Sequence, residues 1–238
     1  VDAASATRMP VTGTWLRHIP AGSDPLYRPP TPADGRWQRG ATIEGIYLAA
    51  EEATVWAEWY RWLAELEIEP LRGLPRELWR YRASLSSVAD LTSADTLAAL
   101  GLPTAAPSRD QWPLFQDVGE QLHAAGCDGL LYHSAAHPGG LCLCVFRANA
   151  AAASGRLEPL ARVRRVNRPP TPPRGLRTWI LSPSLTRAKP LSAWPRSARP
   201  HRFDVLLRGY LLASISRCVA HSERSLSASS RSASWERP

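Results

Sequence analysis

The stretch GIYLAAEEATVWAEWYRW, Gly45 to Trp62, joins a strand pattern to a helix pattern crowded with tryptophan. An apolar run over about Gly45 to Ala49 reads as a short strand, and it passes directly into a helix. Glu51 and Glu52 lie in the first turn of that helix, at the positive end of its dipole. Val55, Trp59, Trp62 and Leu66 fall at i, i+4, i+7 and i+11, one apolar seam. A helix from about Glu51 to Leu66 is therefore expected to bury Val55, Trp59 and Trp62 against a core. Glu58 sits in its middle and needs an explanation. Glu51, Glu58 and Glu65 recur every seven residues and share a stripe, where Arg61 could pair with Glu58 or Glu65. Taken alone, such a stripe marks the wet side of a helix.

Working outward, Thr14 to Ile19 reads as a strand, and the proline-broken sequence that follows to Asp34 reads as a long ordered loop. Pro75 to Leu91 alternates as a strand, and Ser93 caps a short helix that ends at Gly101. Pro113 to Gly126 is a helix with proline at its start, glycine at its end, and Leu114, Val118, Leu122 and Ala125 on one face. DGLLYHS and LCLCVFR are two short strands joined by AAHPGG, a turn signal. Both are apolar on both faces, which predicts central strands. Beyond Arg147 an alanine run and RVRRVNRPPTPPRGLRT leave the globular pattern.

Charge follows the same division. Residues 1–167 hold 16 arginines and 18 carboxylates, a net −2, whereas residues 168–238 hold 13 basic and 3 acidic residues, a net +10. The formal +8 belongs to the C-terminal segment, so it says nothing about partners of the main domain. That segment also contains 13 serines and 9 prolines, a composition that struggles to offset ordering entropy. Residues 179–238 are read as a Ser/Arg/Pro-rich tail, disordered or the product of read-through, and residues 1–12 as an extension whose Met9 is a candidate start. Four cysteines without a CxxC pair suit a reducing cytoplasm, and no apolar run is long enough to span a membrane.

Familiar signatures are absent: no GxGxxG after a strand, no Walker lysine, no HExxH. Cys142 and Cys144 with His133 and His137 are metal-donor types, but i and i+2 in an apolar strand suit small core residues better. Ser134 near His137 raises a hydrolase reading, without the GxSxG elbow that would support it.

The constellation as a whole says more. WLRHIP with Arg17, GRWQRG with Arg36, IYLA with Tyr47, AEW with Glu58 and YHSAAHPGG with Ser134 occur in the order and spacing of the RES domain, which the chain resembles over residues 13–178. The resemblance implies an α+β fold of small mixed or antiparallel sheets with flanking helices, similar to ADP-ribosyltransferases. It implies a cytoplasmic toxin of a bacterial toxin–antitoxin pair that cleaves the nicotinamide–ribose bond of NAD+, with water, inorganic phosphate or a protein side chain as acceptor and no bound cofactor. Arg17, Arg36, Tyr47 and Ser134 would then bind NAD+, and Glu58, Arg36 and Ser134 would act in catalysis, all in one cleft and with no metal. The partner implied is an Xre-type helix-turn-helix antitoxin, with DNA reached only through it and no membrane. A non-enzymatic RES-like protein that binds an Xre-type antitoxin or nucleic acid is the alternative.

These residue types suit that chemistry. Arginine offers a planar fork of donors to a pyrophosphate, and a tyrosine face can hold a nicotinamide ring. Loss of nicotinamide develops an oxocarbenium-like cation that a fixed carboxylate stabilises, while a serine hydroxyl can hold the carboxamide or a ribose hydroxyl.

Overall fold

The computed structural model describes residues 3, 6–29, 32–103, 106–152 and 156–177; the tail from 178 onward, with the boundary expected there, lies outside them. The described residues form six strands and four α-helices, an α+β arrangement as expected. The strands are β1 (Arg8–Pro20), β2 (Gly45–Ala49), β3 (Arg76–Leu91), β4 (Gly129–His133), β5 (Leu141–Phe146) and β6 (Arg156–Val166). Their order is β1-β2-β5-β4-β3-β6, and β1 also pairs with β3. Five strands thus close on themselves and β6 is added outside β3. Every pairing is antiparallel except β3 with β4. That parallel step needs a crossover, supplied by α2 (Ala94–Ala99) and α3 (Trp112–Ala124). Ser93 caps α2 by accepting the Thr96 N–H.

β4 and β5 lie in the middle of the sheet, as their two-sided apolar character predicts. Alternate residues enter two separate cores. Leu131, Leu143 and Val145 pack with Trp15, Tyr81 and Leu48 on one face. Leu130, Tyr132, Cys142, Cys144 and Phe146 pack on the other, against the helices.

The helix α1 (Glu52–Glu65) covers that second face, and its buried side is rotated from the expected seam. Val55, Trp56, Trp59 and Leu63 are buried, whereas Trp62 is 43% exposed. The helix turns Thr54, Glu58 and Arg61 toward neighbouring loops instead, which leaves Trp62 on its outer side. In α3 the buried face is Phe115, Val118 and Leu122, and Leu114 is half exposed. Gly119 is required there, because a Cβ would meet the Trp37 carbonyl oxygen at 2.0 Å.

Two further expectations are corrected. β1 is much longer than Thr14 to Ile19, because it pairs along most of β3. The sequence after Arg147 does not leave the fold: α4 (Arg147–Ala152) and β6 follow. β6 is a largely exposed edge strand that lacks apolar alternation, and cross-strand ion pairs Arg82–Glu158 and Glu77–Arg162 accompany its ladder at 3.2 and 3.0 Å. No described helix is long and apolar enough to cross a membrane.

His18 of β1 stacks on Trp56 with ring centroids 5.6 Å apart. Its Nδ1 accepts from the Arg76 guanidinium at 2.8 Å, so the imidazole is neutral with its proton on Nε2. Burial first, then the Arg76 and Arg17 charges, hold its pKa well below the ordinary 6.5. Between pH 6.5 and that lowered value the unfolded chain binds a proton that the folded chain does not, so stability is retained above pH 6.5 and lost as pH falls. The expected slope from this one group approaches about 1.4 kcal/mol per pH unit. Denaturant titrations at pH 6.5 and 5.5 check this, since His18→Asn, which keeps an acceptor for Arg76, should flatten the difference by about 1 kcal/mol, the slope being only half developed at pH 6.5. An unchanged slope in the variant would rule His18 out as its source.

Candidate active site

Glu58 lies on the flank of α1 that faces the β4–β5 loop, residues 134–140. One carboxylate oxygen, Oε1, accepts three hydrogen bonds: from the Ser134 hydroxyl at 2.5 Å, the Ala135 N–H at 3.1 Å and the Ala136 N–H at 3.4 Å. The other oxygen accepts none from the described residues. Glu58 is therefore half-buried and fixed at one oxygen only.

The loop is built to do this. The Ser134 Oγ accepts from the N–H groups of Ala136 and His137 at 3.1 and 2.9 Å while its proton goes to Glu58. A hydroxyl has one donor and two acceptor sites, so Ser134 is fully used in shaping the loop and aiming Glu58. One turn before Glu58, buried Thr54 meets His137 Nδ1 at 2.9 Å, and Glu51 approaches the same nitrogen at 3.3 Å. One turn after it, buried Arg61 donates to Glu65 at 2.8 Å and to the Pro107 carbonyl at 2.6 Å. The seven-residue stripe is thus half-buried at Glu58 and Glu65, beside buried Thr54 and Arg61, and its wet reading holds only for Glu51. The Ser134 proton goes to Glu58 and His137 Nδ1 is engaged with Thr54 and Glu51, so no Ser–His hydrogen bond through a ring nitrogen is present among the described residues.

Arg36 reaches the site from the turn Gly35–Gln38, which closes through reciprocal backbone bonds. Its guanidinium lies 4.8 Å from the Trp37 and Phe115 ring centroids and 5.0 Å from that of Tyr132. It also donates to the His133 carbonyl at 3.2 Å, next to Ser134. Burial lowers its pKa to about 10, while Tyr132 and Glu58 oppose the shift; the group is still a cation at neutral pH. Tyr47 supports the turn from beneath, its hydroxyl oxygen accepting the Trp37 N–H at 3.2 Å. Desolvation pushes the Tyr47 phenol well up, so it stays protonated. Desolvation likewise raises the Cys142 and Cys144 thiols, the latter to about 12, which makes them core residues rather than ready thiolate ligands.

The structure brings Glu58, Ser134, Arg36 and Tyr47 to one region and does not bring Arg17 there. Along β1, Leu16 and His18 face α1, and strand alternation turns Arg17 to the opposite face. There Arg17 lies beside Tyr81, Arg147 and Glu44. The Tyr81 hydroxyl, the Arg147 guanidinium and the Arg17 guanidinium donate in turn to the carbonyls of Pro25, Leu26 and Tyr27. Arg17 thus latches the proline-rich loop onto the sheet. Site residues not singled out from sequence are Tyr132 and Phe115, which frame Arg36, and Thr54, which with His137 ties the loop to α1. A usable signal existed for Thr54, which precedes Glu58 by four residues on the same flank.

The RES domain family model matches residues 11–166. The chain belongs to the RES domain family. No curated protein sequence matches this RES chain. Among solved structures, the crystal structure of the M. tuberculosis MbcT–MbcA toxin–antitoxin complex contains a similar chain, with 24% identity and a TM-score of 0.56. The match covers 66% of the RES chain described here and 85% of that chain. At this identity the likeness concerns the fold.

Proposed function

We propose that this RES protein is the toxin of a bacterial toxin–antitoxin pair and that it cleaves the nicotinamide–ribose bond of NAD+. The observation that carries the reading is the Glu58 carboxylate, fixed through one oxygen by a hydroxyl and two N–H groups, with the other oxygen unengaged by the described residues and a buried guanidinium nearby. Departure of nicotinamide leaves positive charge on the ribose ring, and a preorganised carboxylate lowers the barrier without having to reorient. Arg36 offers a permanent cation to substrate phosphate, and its aromatic frame holds that cation in place. Ser134 acts as a positioning residue for Glu58. The toxin–antitoxin neighbour supports a protein partner, which we take to be an Xre-type antitoxin. Water, inorganic phosphate and a protein side chain remain alternative acceptors. NAD+ incubated with purified protein, alone, with inorganic phosphate and with added cell protein, followed by product separation, tests the reading: nicotinamide release above that of a Glu58→Gln control supports it, and intact NAD+ in every arm overturns it in favour of a binding protein.

A further inference from the structure

The RES match ends at Val166, but the chain beyond it returns to the Glu58 region. Asn167 to Arg177 carries prolines at 169, 170, 172 and 173, which favour an extended backbone up to a turn where the Leu176 N–H donates to the Pro173 carbonyl at 3.2 Å. The Tyr60 hydroxyl of α1 donates to the Pro170 carbonyl. Further along, the Arg177 N–H donates to the Ala136 carbonyl at 2.8 Å. Ala136 also gives its own N–H to Glu58 at 3.4 Å. One residue therefore links Glu58 on one side to Arg177 on the other, and the segment bridges α1 and the Ser134 loop. Arg177 is exposed, and its guanidinium has no ion pair or hydrogen bond among the described residues. Burial makes the neighbouring cations Arg36 and Arg61 far less accessible. Arg177 is the exposed one, and its backbone is anchored to Ala136, whose own N–H reaches Glu58.

The geometry points to Arg177 as an anion-binding residue of this site, one that receives a phosphate group of a nucleotide ligand. The inference deepens the proposed function by assigning recognition of the substrate's pyrophosphate to a segment outside the RES match. A guanidinium suits this because its planar fork takes two phosphate oxygens at once. The backbone bond to Ala136 does not depend on the side chain, so Arg177→Ala removes the cation and leaves the strap attached.

The test is calorimetric binding of ADP and of adenosine to the full-length protein, which requires no turnover. Wild type is expected to bind ADP more tightly than adenosine. Arg177→Ala should weaken ADP about tenfold and leave adenosine unchanged, with Arg177→Lys intermediate because it keeps charge without the fork. Equal ADP affinity in wild type and Arg177→Ala overturns the inference, as does a wild type that prefers adenosine or binds neither ligand. Wild type that binds ADP through Arg177 but leaves NAD+ intact sinks the proposed reaction alone.

Discussion

Glu58→Gln is expected to lower NAD+ turnover by about 10² to 10³, the usual cost of removing one preorganised electrostatic group of about 2.7–4 kcal/mol. The structure makes the substitution a clean one. The Gln carbonyl oxygen can take the place of Oε1 and still accept from Ser134, Ala135 and Ala136, so the loop keeps its anchor. Three charge-assisted bonds become neutral ones, the longest of them at 3.4 Å, which costs about 1–3 kcal/mol in all. The free oxygen is replaced by an NH₂, which repels a developing cation instead of stabilising it. If Glu58 served only to fasten α1 to the loop, turnover would fall no more than about threefold, in step with the small change in stability. Nicotinamide release and thermal unfolding measured on the same preparation separate the two cases. Near-normal turnover would remove Glu58 from the reaction.

The elements that could be read from sequence are those whose signal is local and periodic. β2 has its expected bounds, Gly45–Ala49, and β4 and β5 are central, because a strand apolar on both faces has nowhere else to go. The Glu58–Ser134 contact joins residues 76 apart in sequence; order and spacing of motifs suggested that the two belong together, but not that serine would be consumed in holding the carboxylate. Arg17 fails for a definite reason. Period-2 alternation separates it from His18, but which face receives α1 depends on the pairing of β1 with β3, a long-range choice that local pattern does not encode. β6 was missed for a related reason: an edge strand paired through charges carries arginines where a core strand would carry valine. Trp62 fell in the expected seam by spacing, yet a half-turn of freedom in a tryptophan-rich helix leaves several apolar faces to choose from, and the polar seam of Thr54, Glu58 and Arg61 settled the choice.

Arg36→Met is expected to separate folding from function at the second charged group of the site. Arg36 is a buried cation among three rings, and an apolar chain of similar length avoids the desolvation penalty of the guanidinium, on the order of several kcal/mol. Methionine also makes favourable sulfur contacts with aromatic rings, which replaces part of the lost cation–π attraction. Against this stands the His133 carbonyl, which loses a donor at a cost of about 1–3 kcal/mol. The two contributions are of similar size, so the melting transition should stay within about 1–2 kcal/mol of wild type. Turnover should nevertheless fall at least about a hundredfold, because the cation held inside the aromatic frame is gone and the field opposite Glu58 is lost. A purely structural Arg36 predicts the reverse pattern: a clear loss of stability, with turnover per folded molecule unchanged. Denaturant unfolding paired with initial rates of nicotinamide release distinguishes them, and a stable variant that turns over NAD+ within about threefold of wild type would place Arg36 in the scaffold rather than in the reaction.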